Sequence, residues 1–199
     1  GLDWAKVGGY GNIAILTMDG IDKSSDTYKK AYNATIKQAT SFAAMSSTSG
    51  YKTAIGTFNW GSNMTISNAG IILGLAYELT GNEQYIDAAN AQIDYLLGIN
   101  GVSECFVTGY GTKSPQNPHH RPSMSVDKAM KGMLVGGVNS NLEDNAAKAY
   151  CSDSPAAKCY IDNKESYSTN EITIYWNSPF VYLLSLTNSE SGSEVTDLK

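Results

Sequence analysis

Two carboxylates stand out by the company they keep. In Tyr160-Ile-Asp-Asn-Lys-Glu-Ser-Tyr-Ser-Thr-Asn-Glu171-Ile-Thr-Ile-Tyr-Trp-Asn177-Ser178, the acids Asp162 and Glu171 sit among Tyr160, Tyr167, Tyr175, Trp176 and several hydroxyls. That mixture suits a sugar-binding cleft. Aromatic rings cover the apolar faces of a pyranose, and carboxylates take its hydroxyls or give a proton to a glycosidic oxygen. A second reading stands open on these residues alone. Ser168-Thr-Asn-Glu171, ahead of an apolar run, has the form of a capping box, in which the glutamate only bonds back to the cap amide.

A second cluster lies upstream. Phe106 to Ser123 is rich in Gly and Pro, which prevent a regular helix, and reads as a long loop. Both histidines of the protein, His119 and His120, fall in it beside Arg121. As a metal site this is weak: the histidines are adjacent, Pro-bounded and without a nearby carboxylate. Imidazole and guanidinium are better read as directional hydrogen-bonding groups for a neutral polyhydroxyl ligand. The alternative is a loop held by its own polar contacts. Trp60, in Trp60-Gly-Ser-Asn63 before a helix, is a sugar platform or a wedge between helices.

These residues resemble glycoside hydrolase family 9, the inverting endoglucanases. Tyr160, Asp162, Tyr167, Glu171, Thr173, Asn177 and Ser178 fill the slots of its second signature. Val107, Thr108, Gly111, Lys113, Pro118, His119 and Arg121 match the first signature, with Cys105 where Ser, Thr or Val is usual. Asp3-Trp4 with the glycines that follow, and Trp60 to Asn63, extend the likeness over most of the chain. The resemblance implies an all-α (α/α)6 toroid of helical hairpins, of which this chain supplies about the C-terminal half. It implies hydrolysis of β-1,4-glucan with inversion, Glu171 as general acid, and Asp162 and His119 as active-site residues. Arg121, Trp60, Tyr167 and His120 then form the substrate-binding set. Glu171 needs a raised pKa, which desolvation by Tyr175 and Trp176 would help supply.

One part of the family pattern is missing. Its general base belongs to an Asp-Ala-Gly-Asp motif in the N-terminal half of the domain, and the chain contains no such motif. Asp19-Gly-Ile-Asp22 has the spacing but neither the residues nor the place. The expected partners are therefore a β-glucan and the N-terminal half of the same domain. Half a toroid would expose inner faces of helices such as 66–80. No cofactor is required; calcium is common in the family, but its ligands are not locatable here. Family membership implies a secreted protein.

The rest of the chain must position these groups. At 199 residues, 42% apolar and 17% charged, it can bury one sizeable core. A net charge of -5 argues against nucleic acid or anionic membrane as partner, and no apolar run reaches the length of a span. Gly1 begins no signal peptide, although a mature chain could follow cleavage of one. Thirteen tyrosines suit a carbohydrate-facing surface or an aromatic core. Cys151 and Cys159 flank a loop with Pro155 and close it as a disulfide, or all three cysteines, Cys105 included, are buried thiols.

Gly8-Gly-Tyr-Gly11 lacks phosphate-loop spacing and reads as a helix packed tightly on a neighbour. Ser25 or Asp26 caps an amphipathic helix over 27–44. Residues 51–58 read as extended. Residues 66–80 are apolar nearly all round, with Gly70 and Gly74 allowing close approach, and pair through Gly81 and Asn82 with a helix from Tyr85 to Leu97. Residues 124–158 read as loop with helical turns near 127–131 and 141–150. Pro179 kinks the last helix or sits at its N1 after a Ser178 cap. Residues 1–188 form the catalytic part, and 189–199 a polar tail or linker. Asn33-Ala-Thr35 and Asn63-Met-Thr65 are glycosylation sequons.

Overall fold

The computed structural model describes residues 2–3 and 5–190, and it is helical: among them no strand forms, only two isolated bridges. The four long helices are α2 (Asp26–Thr48), α3 (Ser62–Thr80), α4 (Glu83–Leu96) and α8 (Ile174–Glu190). Helix α1 (Gly8–Thr17) leans on α2, and α5 (Arg121–Ser125), α6 (Asn145–Cys151) and α7 (Tyr167–Asn170) are short pieces within the long connection between α4 and α8.

Local chemistry sets the ends. Ser25 caps α2 by accepting the Tyr28 amide at 3.2 Å. The helix then runs to Thr48, a turn past the expected stop, with the Ser47 and Thr48 hydroxyls turned back onto the Ala44 carbonyl. Gly81, at φ +69, closes α3, and the Asn82 side chain caps α4, so the two form the expected antiparallel hairpin.

Helix α3 is the axis of the fold. From Ser62 to Ala76 all but Thr65 are buried, between α2, α4 and α8. The helix is buried on several sides, as its all-round apolar pattern predicts, and the expected exposed inner face is not found over 66–76. The open apolar stripe is instead on α8, where Ile174 is 89% and Val181 64% exposed beside Tyr175 and Tyr182. Gly70 and Gly74 permit the close approach: a Cβ on Gly70 would lie 2.5 Å from a Leu183 methyl, and one on Gly74 3.3 Å from Leu186. We expect Gly70→Ala to destabilise the fold by about 1–3 kcal/mol through overpacking, read as a lowered urea midpoint at unchanged slope.

Other expectations need correction. Helix α1 forms, but a Cβ on Gly8 or Gly11 meets nothing within 4 Å, so neither glycine serves tight packing. Residues 51–58 are irregular rather than extended, since Gln92 takes the place of a strand partner: its amide bonds the Lys52 carbonyl and accepts the Ala54 amide. The segment 127–131 forms turns but no helix. The helix lies earlier, at Arg121–Ser125, because Pro122 falls in its first turn, where its missing amide costs nothing. Pro179 is not at N1; α8 begins five residues before it, and the helix forgoes one backbone bond there. Of the tail from 189, Ser189 and Glu190 still belong to α8, and 191–199 lie outside the described residues.

The core has two main parts. One joins α2, α3, α4 and α8 through Ala39, Leu73, Ala89 and Leu183. The other lies beneath the long connection, around Ile66, Phe106, Leu134, Val138 and Phe180. Through it runs an aromatic series, Phe58, Tyr95, Phe106 and Tyr160, with successive ring centroids 6.3, 6.0 and 5.1 Å apart. Part of the tyrosine content is therefore core. All three cysteines are buried thiols.

Candidate active site

Glu171 is placed by three backbone segments laid side by side. The His119 amide bonds the Asn170 carbonyl at 2.8 Å, the Gly136 amide the Glu171 carbonyl at 2.9 Å, and the Gly137 amide the Thr169 carbonyl at 2.8 Å. Two glycines make this possible. A Cβ on Gly136 would stand 2.8 Å from the Trp176 ring, and Gly137, at φ +90, leaves room for the Asn63 side chain. Helix α3 grips the same loop from below: the Asn63 side chain bonds the Val135 carbonyl at 2.9 Å and the Ser62 hydroxyl the Val138 carbonyl at 2.6 Å. Asn63 is fully buried in this contact, whereas the other sequon asparagine, Asn33, is exposed.

The capping-box reading fails here. Ser168 lies inside α7, and its amide and hydroxyl both bond Asp144 rather than Glu171. The Glu171 backbone is extended, and its carboxylate accepts the Trp60 indole N–H at 3.2 Å. The side chain is thereby free of any capping duty.

Around it stands an aromatic wall. The Trp60 and Tyr167 rings are 5.2 Å apart, and Tyr167 meets His119 edge-on at 6.2 Å. An open cavity of about 370 Å³ is lined by Trp60, Met64, Glu171, Tyr175 and Trp176. Glu171 is the one carboxylate in that lining.

His119 is held by its Nδ1, 2.6 Å from the Lys164 carbonyl. A carbonyl only accepts, so Nδ1 carries the proton and Nε2 is left for other partners. His120 is not among the residues lining the cavity, and its Nδ1 lies 2.9 Å from the Ser123 hydroxyl, which also accepts the Met130 amide. Arg121 opens α5 with an exposed guanidinium that no protein group engages among the described residues. Lys113, the basic residue of the first signature, pairs with Glu104 at 3.2 Å. Burial pushes the Glu104 carboxyl up, and Lys113 partly offsets this.

Asp162 does not line the cavity. Its carboxylate accepts the Gln116 amide at 2.7 Å, the Asn117 amide at 2.8 Å and the Asn170 side-chain amide at 3.0 Å. Tyr160 completes the brace by donating its hydroxyl to Asn170 at 2.7 Å. Asp162 therefore ties the loop that carries His119 to the residue before Glu171. Asp162→Ala should unfasten that loop, costing about 1–3 kcal/mol; hydrogen exchange at Gln116 and Asn117 should speed up while the α3 amides stay protected.

Asp144 and the Gly136-Gly137 pair escaped the sequence reading, and Asn177 entered it only as a signature residue with no stated role. Asp144, 3% exposed, accepts the Ala147 amide at 2.7 Å, the Ser166 hydroxyl at 2.9 Å and both donors of Ser168. Burial pushes its carboxyl up, but these hydrogen bonds outweigh it and hold the carboxyl below its usual range. Asp directly before Asn145-Ala-Ala was a readable helix cap. Asn177 meets both backbone groups of Leu134, accepting at 2.7 Å and donating at 3.2 Å, which fastens α8 to the loop. Gly136-Gly137 read only as loop. Among the described residues no group of three or more metal-ligating side chains gathers, and no helix is long and apolar enough to cross a membrane.

Residues 2–184 match the model of glycosyl hydrolase family 9. The cellulose 1,4-beta-cellobiosidase of Acetivibrio thermocellus is 37% identical over 193 residues, covering 90% of this chain and 22% of that protein. The cellodextrinase of Butyrivibrio fibrisolvens is 36% identical over 189 residues, 92% of this chain and 34% of that one. Among solved structures, AaCel9A in complex with cellobiose-like isofagomine superposes with a TM-score of 0.85 at 34% identity, over 96% of this chain and 37% of that chain. The chain thus spans between 22% and 37% of the length of these proteins. Its helices correspond to part of an (α/α)6 barrel. With the family match running over nearly every described residue, the chain belongs to glycosyl hydrolase family 9.

Proposed function

We propose that this chain is the acid-bearing part of an enzyme that hydrolyses β-1,4-glucosidic bonds with inversion. The observation that carries the reading is a single carboxylate, Glu171, set in an aromatic-lined cavity and bonded, among the described residues, only to an indole N–H. Glu171 protonates the glycosidic oxygen as the bond to the anomeric carbon breaks. A water attacks that carbon from the opposite face, activated by a second carboxylate about 6.5–9.5 Å away. Among the described residues no second carboxylate lines the cavity, so the base comes from a segment of the catalytic domain outside them. The step as written needs no cofactor.

Trp60 and Tyr167 stack on the sugar, and Arg121 and Nε2 of His119 take its hydroxyls. Asp162 and His120 position loops rather than touch the glucan. Support for the substrate class comes from relatives named for cellulose and cellodextrin, and from a solved neighbour in complex with cellobiose-like isofagomine. A polymeric β-glucan is met outside the cell, so we expect secretion. The lone carboxylate also favours a second reading, a glucan-binding piece without turnover.

The product anomer tests the proposal. The chain produced with the rest of its catalytic domain should release the α-anomer first from cellopentaose, followed by proton NMR before mutarotation. The isolated chain should show no turnover. Release of the β-anomer would overturn inversion, and no cleavage by the complete domain would leave the binding reading.

A further inference from the structure

Cys151 ends α6, and Cys159 opens the segment leading to Tyr160 and Asp162. Both are 3% exposed and belong to one apolar cluster. The Cys159 sulfur lies 3.9 Å from the Cys151 carbonyl oxygen, and 3.7 and 3.5 Å from those of Ser154 and Pro155. The chain between them is wound into a turn. The Ser154 amide bonds the Cys151 carbonyl at 2.9 Å, and the Lys158 amide the Pro155 carbonyl at 2.8 Å. Burial pushes the pKa of both thiols up, and Cys159 pushes that of Cys151 up further, so both rest as thiols in the closed fold. Cys105 shares the cluster but is engaged elsewhere, donating to the Val107 carbonyl at 3.8 Å beneath Gly111. The acid–base step uses none of the three.

We propose that Cys151 and Cys159 are a dithiol that closes to an intramolecular disulfide on meeting a small-molecule disulfide such as oxidised glutathione. One cysteine, as thiolate, attacks a glutathione sulfur and expels the first glutathione thiolate, forming a mixed disulfide. The second attacks the protein sulfur of that bond and expels the other. Two protein S–H bonds are lost, one S–S bond is gained, and the electron pair leaves on two reduced glutathiones.

A disulfide spans Cα separations of about 4.4–6.8 Å. With the Cys159 sulfur 3.9 Å from the Cys151 carbonyl oxygen, rotation of the two side chains during local opening of the turn would let the sulfurs meet. Ser152, Asp153, Pro155 and Ala156 are exposed or nearly so, so local opening of the turn admits the oxidant. The bond would fasten the end of α6, the helix that Asp144 begins, to the start of the acid-bearing segment.

The test counts thiols. The chain is incubated with oxidised glutathione, then unfolded in alkylating agent without reductant and mapped by mass spectrometry. The expected result is a loss of two hydrogens, a peptide crosslinking Cys151 to Cys159, and an alkylated Cys105. Proximity in sequence alone would also let this pair close in an unfolded chain, so the bond is then titrated with reduced glutathione, native and in urea. The native fold should hold it about 10–100-fold more strongly. Three alkylated cysteines, a lasting glutathione adduct, a crosslink through Cys105, or equal strength in urea would each overturn the proposal.

Discussion

Glu171→Gln, made in the complete catalytic domain, should lower kcat on cellodextrins about 10²–10⁴-fold, the range over which a positioned general acid contributes. A carboxamide keeps the shape and still accepts the Trp60 indole N–H, the one hydrogen bond of the Glu171 side chain among the described residues. It cannot deliver a proton to the leaving oxygen. Glucan affinity and melting temperature should therefore stay close to wild type. An aryl cellobioside whose phenol leaves without help should lose far less. Equal losses on both substrates would remove Glu171 from the acid role. A large fall in melting temperature would point back to a helix-capping role, which the bonds of Ser168 to Asp144 already oppose.

The second large effect concerns stability, at a residue with no part in the chemistry. Asp144→Ala removes the cap of α6 and leaves the buried amide of Ser168 without its partner. A lost cap costs about 1 kcal/mol and an orphaned buried donor about 1–3 kcal/mol, so a loss of about 2–4 kcal/mol is expected. The pH dependence gives a sharper check. The folded Asp144 carboxyl is held below its usual range, so the unfolded chain takes up the proton first as pH falls. Its contribution is complete above the unfolded pKa of about 3.9 and fades as pH drops through the lower folded value. The wild-type melting temperature should fall across that acid window, and Asp144→Asn should flatten the fall while keeping the cap. An Asn variant with an unchanged acid limb would show that other carboxylates carry it.

The sequence read well where neighbours along the chain decide. Ser25 and Asn82 cap the helices they were expected to cap, and Gly70 and Gly74 admit Leu183 and Leu186 as their size foretold. It read poorly where the partner lies far along the chain. Residues 51–58 look extended by composition, but Gln92 satisfies their backbone from another helix. Residues 66–80 look like an exposed inner face only if α8 is left out of account. Pro122 reads as a breaker and in fact starts a helix.

The same division runs through the site. Sequence alone determined that Glu171, His119, Trp60 and Tyr167 belong together, because their types and spacing reproduce two family signatures. It also determined that no family base motif is present, because that is a matter of residues and not of geometry. Only the tertiary structure decided which of the two acids lines the open cavity. Asp162 and Glu171 are chemically alike, and what separates them is where their donors lie. Asp162 is surrounded by amides of the 116–117 loop and Asn170, which consume its oxygens, while Glu171 meets one indole N–H at the edge of an open cavity. Asn117 and Trp60 stand 45 and 111 residues from the acids they serve, separations that no local pattern encodes and that packing of α3 and α8 against the long connection brings to hydrogen-bond distance.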